Sequence, residues 1–312
     1  MSARSKAQEV LENYRRAGVI AENALVLARK IVKPGANAYK IAQKLEGFIR
    51  DQGALPSFPV NFSITNEAAH YSPEILDTRT VGKNDTIKVD LGAHIDGYIV
   101  DTAITINFNK EADALTEVSK EALDNAIDNV KAGVSVNHIG EIVEKTIVSA
   151  GFQPVRNLSG HQIKRNVLHA GVSIPNHGPG YFKLKDYKFQ KGGVYAIEPF
   201  ASTGPGEITN GKRTNIFRIV KKPKKGEVEQ AKLIKKFLPI VGVLPFSPRF
   251  VYDESTGEKG ASVVNKEIRK LLRSGHIMGY PVLVEVDKQA NVSQHEHTIL
   301  VKQNGCEVFT QN

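Results

Sequence analysis

The chain has 312 residues, 41% of them apolar and 24% charged, which is ordinary for a soluble globular protein and long enough for one large domain or two smaller ones. Its single cysteine, Cys306, excludes an internal disulfide and fits a reducing compartment. The charged N-terminal stretch MSARSKAQEVLENYRR has no apolar signal core and no membrane-spanning run follows it, so a cytoplasmic location is expected.

The first helix is marked by Val10, Tyr14, Ala17, Ala21, Ala24, Ala28 and Ile31, which step by four and three to make one continuous stripe. Pro34-Gly35 stops it, and a second helix is expected from about Ala38 to Asp51, closed by Gly53. Residues 55–80 contain three prolines and read as loop and short strand. The segment 87–105, IKVDLGAHIDGYIVDTAIT, reads as a hairpin. Centred on Ile95-Asp96, it brings Asp90 opposite Asp101, and two facing carboxylates need a shared proton, a basic neighbour or a metal ion. Another register would keep them apart. Helices are expected over about 113–130 and 136–150.

Residues 32–53, VKPGANAYKIAQKLEGFIRDQG, align without gaps on residues 130–151, VKAGVSVNHIGEIVEKTIVSAG, with 7 of 22 positions identical. The matches are the helix stop, the inward isoleucines and the closing glycine, so a duplicated structural unit explains them. The duplication predicts more. A proline-rich segment with His70 in the first half answers one with His169 in the second, and the KVDLG strand with Asp90 answers VYAIEPF with Glu198. An approximate two-fold axis then brings these four groups to one site.

From about Arg218 to Tyr280 the composition changes. Residues 221–280 hold 13 Lys and Arg against 6 Asp and Glu, so most of the net charge of +9 lies in one fifth of the chain. We expect a small subdomain, 218–280, with helices around 227–238 and 262–274, inserted into a catalytic unit formed by 1–217 and 281–312. Its basic stretch 221–236 fits contact with RNA or the ribosome, whereas the lack of interleaved aromatics favours a solvated face. The terminal strands are expected over 281–287 and 295–303. In the second of these, Glu296 alternates with His295 and His297, which places those histidines on the opposite face. Glu198 and Glu296 are then the second half's version of the Asp90 and Asp101 hairpin, split by the insertion. Four carboxylates from four strands repel one another strongly unless two divalent cations, about 3.5–4 Å apart, lie between them.

The motifs FPVNFSITNEAAHYSP, IKVDLGAHIDGYIVDTA, NLSGHQIKRNVLHAG, VYAIEPFASTGPG, LPFSPR and HEHTILV occur in this order from residue 58 to residue 301. With them the chain resembles the type II methionine aminopeptidases, in their archaeal form, of the pita-bread creatinase/aminopeptidase metallopeptidases. The resemblance implies an α+β pita-bread fold with pseudo-two-fold halves and an antiparallel sheet, and a monomeric hydrolase that removes the initiator methionine from nascent chains when the second residue is small. It makes His161 the imidazole ligand, which the repeat could not choose, and gives the metal set Asp90, Asp101, His161, Glu198 and Glu296. Asp90 would hold one ion, His161 and Glu198 the other, with Asp101 and Glu296 bridging. It makes Glu198 the proton shuttle, His70 and His169 the groups that orient substrate and stabilise the transition state, and Phe58 and Leu168 the lining of the methionine pocket. Two divalent ions are implied, with Mn, Fe or Co suited to oxygen-rich ligation and Zn also admitted. His94, His138, His177, His276, His295 and His297 receive no metal role. The alternatives are a proline-directed peptidase of the same fold, which would carry an extra N-terminal domain, and a catalytically silent RNA-binding or ribosome-binding relative, which would have lost ligands.

Overall fold

The computed structural model describes residues 3–180 and 186–311, so both extreme ends of the expected catalytic unit and residues 181–185 lie outside it. The first half opens with α1 (Ala3–Ile31) and α2 (Ala38–Asp51), then β1 (Leu55–Pro56), β2 (Asn61–Ile64), β3 (Glu67–Ala69), β4 (Thr86–Ile95) and β5 (Tyr98–Asn107). The second half repeats the plan with α3 (Asp113–Asp128), α4 (Val136–Ser149), β6 (Gln153–Pro154), β7 (Ser159–Ile163), β8 (Ser173–Pro175), β9 (Val194–Ile197) and β10 (Phe200–Ser202). Strand β11 (Ile208–Ile219) leads into α5 (Val228–Val241) and α6 (Gly257–Arg273). The chain then returns through β12 (Ile277–Glu285), β13 (Val292–Gln294), β14 (His297–Val301) and β15 (Cys306–Val308). Helices beside antiparallel sheets make the α+β class that the sequence predicts.

The stripe on α1 is buried as its spacing predicts, with Ala17, Ala21, Ala24 and Ala28 fully covered. Four small side chains let this helix lie close over β4 and β5, whose Val89, Leu91 and Ala93 share the same core. The opposite face of β4 carries Asp90, since side chains alternate along a strand.

The duplication extends to individual hydrogen bonds. Gly35 N donates to Val81 O at 2.8 Å and Gly133 N to Phe189 O at 2.9 Å. Ala38 N donates to Arg79 O at 2.9 Å and Val136 N to Tyr187 O at 2.8 Å. Asn37 caps α2 and Ser135 caps α4, and the helices close at Gly53 (φ 81°) and Gly151 (φ 86°). A left-handed closing residue is strained for any side chain bearing a Cβ, which explains the matching glycines.

The pseudo-two-fold axis runs between Ala103 and Glu296. Ala103 N donates to Glu296 O at 3.3 Å and Glu296 N to Ala103 O at 3.0 Å. On one side Thr298 Oγ1 accepts from Asp101 N and donates to Asp101 O, both at 2.7 Å. On the other side Thr105 Oγ1 accepts from Gln294 N at 2.9 Å and donates to Gln294 O at 2.8 Å.

These contacts correct the expected register. The hairpin turns at Asp96-Gly97, with φ of 52° and 80°, so Ile95 pairs with Tyr98, Asp90 with Ala103 and Gly92 with Asp101. Two central residues with positive φ are what a two-residue loop matching the strand twist requires, and Asp-Gly supplies them where Ile-Asp would not. The slip is two residues, so both aspartates keep the same face but sit diagonally. By the same axis the counterpart of Asp101 is Gln294, and that of Glu296 is Ala103. The two carboxylate pairs are therefore not strict symmetry mates.

Between β11 and β12 the chain builds a core of its own, in which Phe237, Phe246 and Leu271 are fully buried alongside Leu233, Ile234, Val264 and Ile268. Helix α5 runs past the expected residue 238 to Val241 with Pro239 inside its last turn, and Gly242 follows as the cap. Helix α6 begins five residues before the expected 262, since its first turn is solvated and carries no stripe. Strand β12 begins at Ile277 because it pairs with β11 as far back as Ile219.

Arg249 ties this region to the first half. Its guanidinium contacts Glu46 of α2 at 2.5 Å, Ser72 Oγ at 3.0 Å and the Pro73 carbonyl, and both charged side chains are almost wholly buried. Glu46 Oε1 also accepts from Val60 N at 3.0 Å. Removing one partner of a buried pair leaves the other charge unpaired, so Arg249→Met should cost about 3–5 kcal/mol. Denaturant unfolding should also show the double substitution with Glu46→Gln recovering most of that loss. If the double variant loses as much as the single one, the loss is not electrostatic.

Candidate metal centre

A cavity of about 410 Å³ lies between the halves, and every side chain that the sequence nominates lines it: Phe58, His70, Asp90, Asp101, His161, Leu168, His169, Glu198 and Glu296. Strand pairing delivers them. Asn61 pairs with Asp90 across β2 and β4, His161 with Ala196 across β7 and β9, and Ile197 with His297 across β9 and β14. Phe200 pairs with Gln294, which brackets Glu198 opposite Glu296. Gly92 admits the wall: a Cβ there would stand 2.7 Å from Phe58 Cε1 and 2.5 Å from Val100 O.

Ligand atoms of Asp101, His161 and Glu296 all lie within 4.8 Å of one another. His161 Nε2 is 3.4 Å from Asp101 Oδ2 and 3.6 Å from Glu198 Oε1. Two donors each about 2.1 Å from a common ion stand roughly 3.0–3.5 Å apart. Asp90 Oδ2 accepts from Asn61 Nδ2 at 3.0 Å and Glu296 Oε2 from Gln294 Nε2 at 3.2 Å. The second oxygens, Asp90 Oδ1, Asp101 Oδ1 and Glu296 Oε1, are buried with no hydrogen-bond partner. Orphaned carboxylate oxygens converging on one imidazole suit a divalent cation with hard-ligand preference.

The electrostatics agree. Burial raises Asp101 to about 7, and it raises Asp90, Glu198 and Glu296 well above the carboxylate range, helped by repulsion among them. Burial lowers His161 to about 4, so its ring is neutral at pH 7 and free to ligate. Burial and the neighbouring His169 hold His70 down to about 4. Enclosure by the cavity walls, with the charges of His161 and Arg218, brings His169 to about 3. His70 adopts a left-handed backbone (φ 64°) and its Nδ1 has no partner.

The other histidines stay outside the cavity. His295 Nδ1 contacts Ser119 Oγ at 2.8 Å and His297 Nδ1 contacts Thr310 Oγ1 at 2.9 Å, on the face away from Glu296. His94 Nδ1 accepts from Gly97 N at 3.2 Å within the hairpin turn. Asn61 and Gln294 escaped the sequence reading, as did the wall formed by Phe200, Ile216, Pro245, Tyr280 and Leu283. Two signals were available: Asn61 lies inside the FPVNFS motif, and Gln294 is two residues from Glu296 and shares its face.

Residues 12–236 match metallopeptidase family M24. The methionine aminopeptidase of Pyrococcus abyssi is 41% identical over 295 residues, covering 95% of this chain and 97% of that one. Among solved structures, a thermophilic Arx1 superposes with a TM-score of 0.78 at 20% identity, over 99% of this chain and 91% of that one. The methionine aminopeptidase of Thermotoga maritima superposes with a TM-score of 0.67 at 23% identity, over 97% of each chain. The two solved structures share the fold. The chain belongs to the M24 metallopeptidases, enzymes of the pita-bread architecture that bind divalent metal. Within that family it groups with the archaeal methionine aminopeptidases. No helix among the described residues is long and apolar enough to cross a membrane.

Proposed function

We propose that the protein is a methionyl aminopeptidase that removes the initiator methionine from peptides and nascent chains whose second residue is small. The observation that carries this reading is the gathering of Asp90, Asp101, His161, Glu198 and Glu296 in one cavity beside the apolar Phe58 and Leu168. We read Asp90, Asp101, His161, Glu198 and Glu296 as the five side chains that would hold two divalent cations. Oxygen-rich ligation favours Mn, Fe or Co and admits Zn. Such ions, when bound, activate water at neutral pH and polarise the scissile carbonyl.

The chain's own groups do the rest. Phe58 and Leu168 receive the methionine side chain, whose thioether suits an apolar wall. Glu198 takes a proton from the attacking water and returns it to the leaving amine. His70 and His169, neutral at pH 7, donate N–H groups to the substrate carbonyl oxygen as negative charge develops on it. A silent relative would have lost ligand-type side chains, and all five stand here.

We further read residues 218–280 as an inserted unit on a catalytic domain of 1–217 and 281–312, acting as a monomer in the cytoplasm. In the basic stretch 221–236, Lys221 pairs with Glu227 and Lys236 with Glu267. Lys222, Lys224, Lys225, Lys232 and Lys235 are exposed and suit a polyanion such as ribosomal RNA.

The test is hydrolysis of short peptides with the metal varied. Met-Ala-Ser should be cleaved at least about tenfold faster than Met-Leu-Ser, because a bulky second residue crowds the reacting bond. Equal rates on the two would sink the specificity, and undiminished turnover after metal stripping would sink the metal reading.

A further inference from the structure

The wall of the cavity made by β11 and β12 has an outward continuation that the proposed chemistry does not use. Ile216 pairs with Tyr280, and both line the cavity. Arg218 pairs with Met278 on the same face, one rung further along, about 7 Å away at the rise of an extended strand. The inner end of this wall is fixed, since Leu283 lines the cavity and pairs with Ala69, next to His70. The step from Leu283 through Tyr280 to Met278 therefore leads outward, and Met278 is 40% exposed. Arg218 rests its guanidinium on that side chain, with Nη2 3.9 Å from the sulfur. Among the described residues it has no carboxylate partner.

We propose that Arg218 is a specificity-determining residue: a cation at the cavity rim that favours peptides with Asp or Glu at the third or fourth position. The inference rests on the aminopeptidase reading. With residue one in the cavity and the scissile bond at the carboxylates, each further residue advances about 3.3–3.6 Å. Leaving along this wall, the third and fourth residues pass the rung that Arg218 occupies. Its charge already reaches the cavity wall, where it opposes the burial that raises Tyr280. Its β12 neighbour is the uncharged Met278, which does not neutralise that charge.

The experiment compares kcat/KM for Met-Ala-Asp-Gly-Ser with Met-Ala-Lys-Gly-Ser, and for Met-Ala-Gly-Asp-Ser with Met-Ala-Gly-Lys-Ser. In the wild-type metal-loaded enzyme at low salt, the acidic member of at least one pair should be favoured about three- to fivefold, the size of a solvent-exposed ion pair. The ratio should fall toward one as salt rises. Arg218→Gln should abolish it, Arg218→Lys should keep most of it, and Arg218→Glu should invert it. A ratio that Arg218→Gln leaves unmoved overturns the inference while the aminopeptidase reading stands. Failure to cleave any of the four peptides overturns that reading and this inference with it.

Discussion

Glu296→Ala should lower kcat/KM on Met-Ala-Ser by about 10³-fold or more and leave less metal bound after dialysis. Glu296 is fully buried, and its ligand atom lies within 4.8 Å of those of both Asp101 and His161, so no other side chain can take its position without moving a strand. Truncation removes one negative charge from the cluster and leaves Gln294 Nε2 without its acceptor. Glu198→Gln is the informative companion. It keeps size and one carbonyl-type oxygen but cannot accept and return a proton, so kcat should fall by about 10²–10⁴ while KM changes little. Metal content by atomic emission separates the two outcomes. If Glu296→Ala retains full metal and near-normal turnover, Glu296 is not a ligand. If Glu198→Gln loses only affinity for substrate, another group moves the proton.

Much of this site was legible because duplication and alternation are periodic. The repeat anticipated that β9 and β14 would pair like β4 and β5 despite the long insertion between them, and they do. It could not mark His161. Asn61 pairs with Asp90, and the register of β7 on β9 carries Ser159 to the level of Glu198, so the repeat mate of His161 is Ser63. An imidazole in one half answered by a hydroxyl in the other leaves no signal for an argument from symmetry, and only the NLSGHQ motif pointed to it. The register error had a different source. Hydrophobic alternation fixes which face a residue takes but not which of two registers two residues apart is used. The Asp-Gly turn decides that, because its two central residues tolerate the positive φ that a two-residue hairpin loop needs. The contact of Arg249 with Glu46 spans 203 positions of sequence, and no local pattern anticipates such a pair.

Metal affinity should rise steeply with pH, and with it the gain in Tm that bound metal confers. In the metal-free protein Asp101 titrates near 7, and Asp90, Glu198 and Glu296 are raised well above the usual carboxylate range, with burial the first cause for each. A carboxyl whose folded pKa exceeds its unfolded value of about 4 binds more protons folded than unfolded across that interval. Its contribution to stability is therefore lost as pH climbs from about 4 towards 7. The buried imidazoles run the other way: His161, held near 4 against an unfolded value of about 6.5, favours the folded state more as pH rises through that window. For metal binding only the folded protein's protonation counts. His161 is already neutral above about pH 5, so the protons that a cation must displace come from the carboxylates. Between pH 5.5 and 6.5 the affinity should increase about tenfold for each proton displaced. Calorimetric titration with Mn²⁺ in buffers of different ionisation enthalpy would count those protons. The rise in Tm at a fixed sub-saturating metal concentration should be larger at pH 6.5 than at 5.5. A Tm increment independent of pH, with no proton release, would mean that the carboxylates are ionised before the metal arrives. The orphaned oxygens of Asp90, Asp101 and Glu296 would then need another source of compensation.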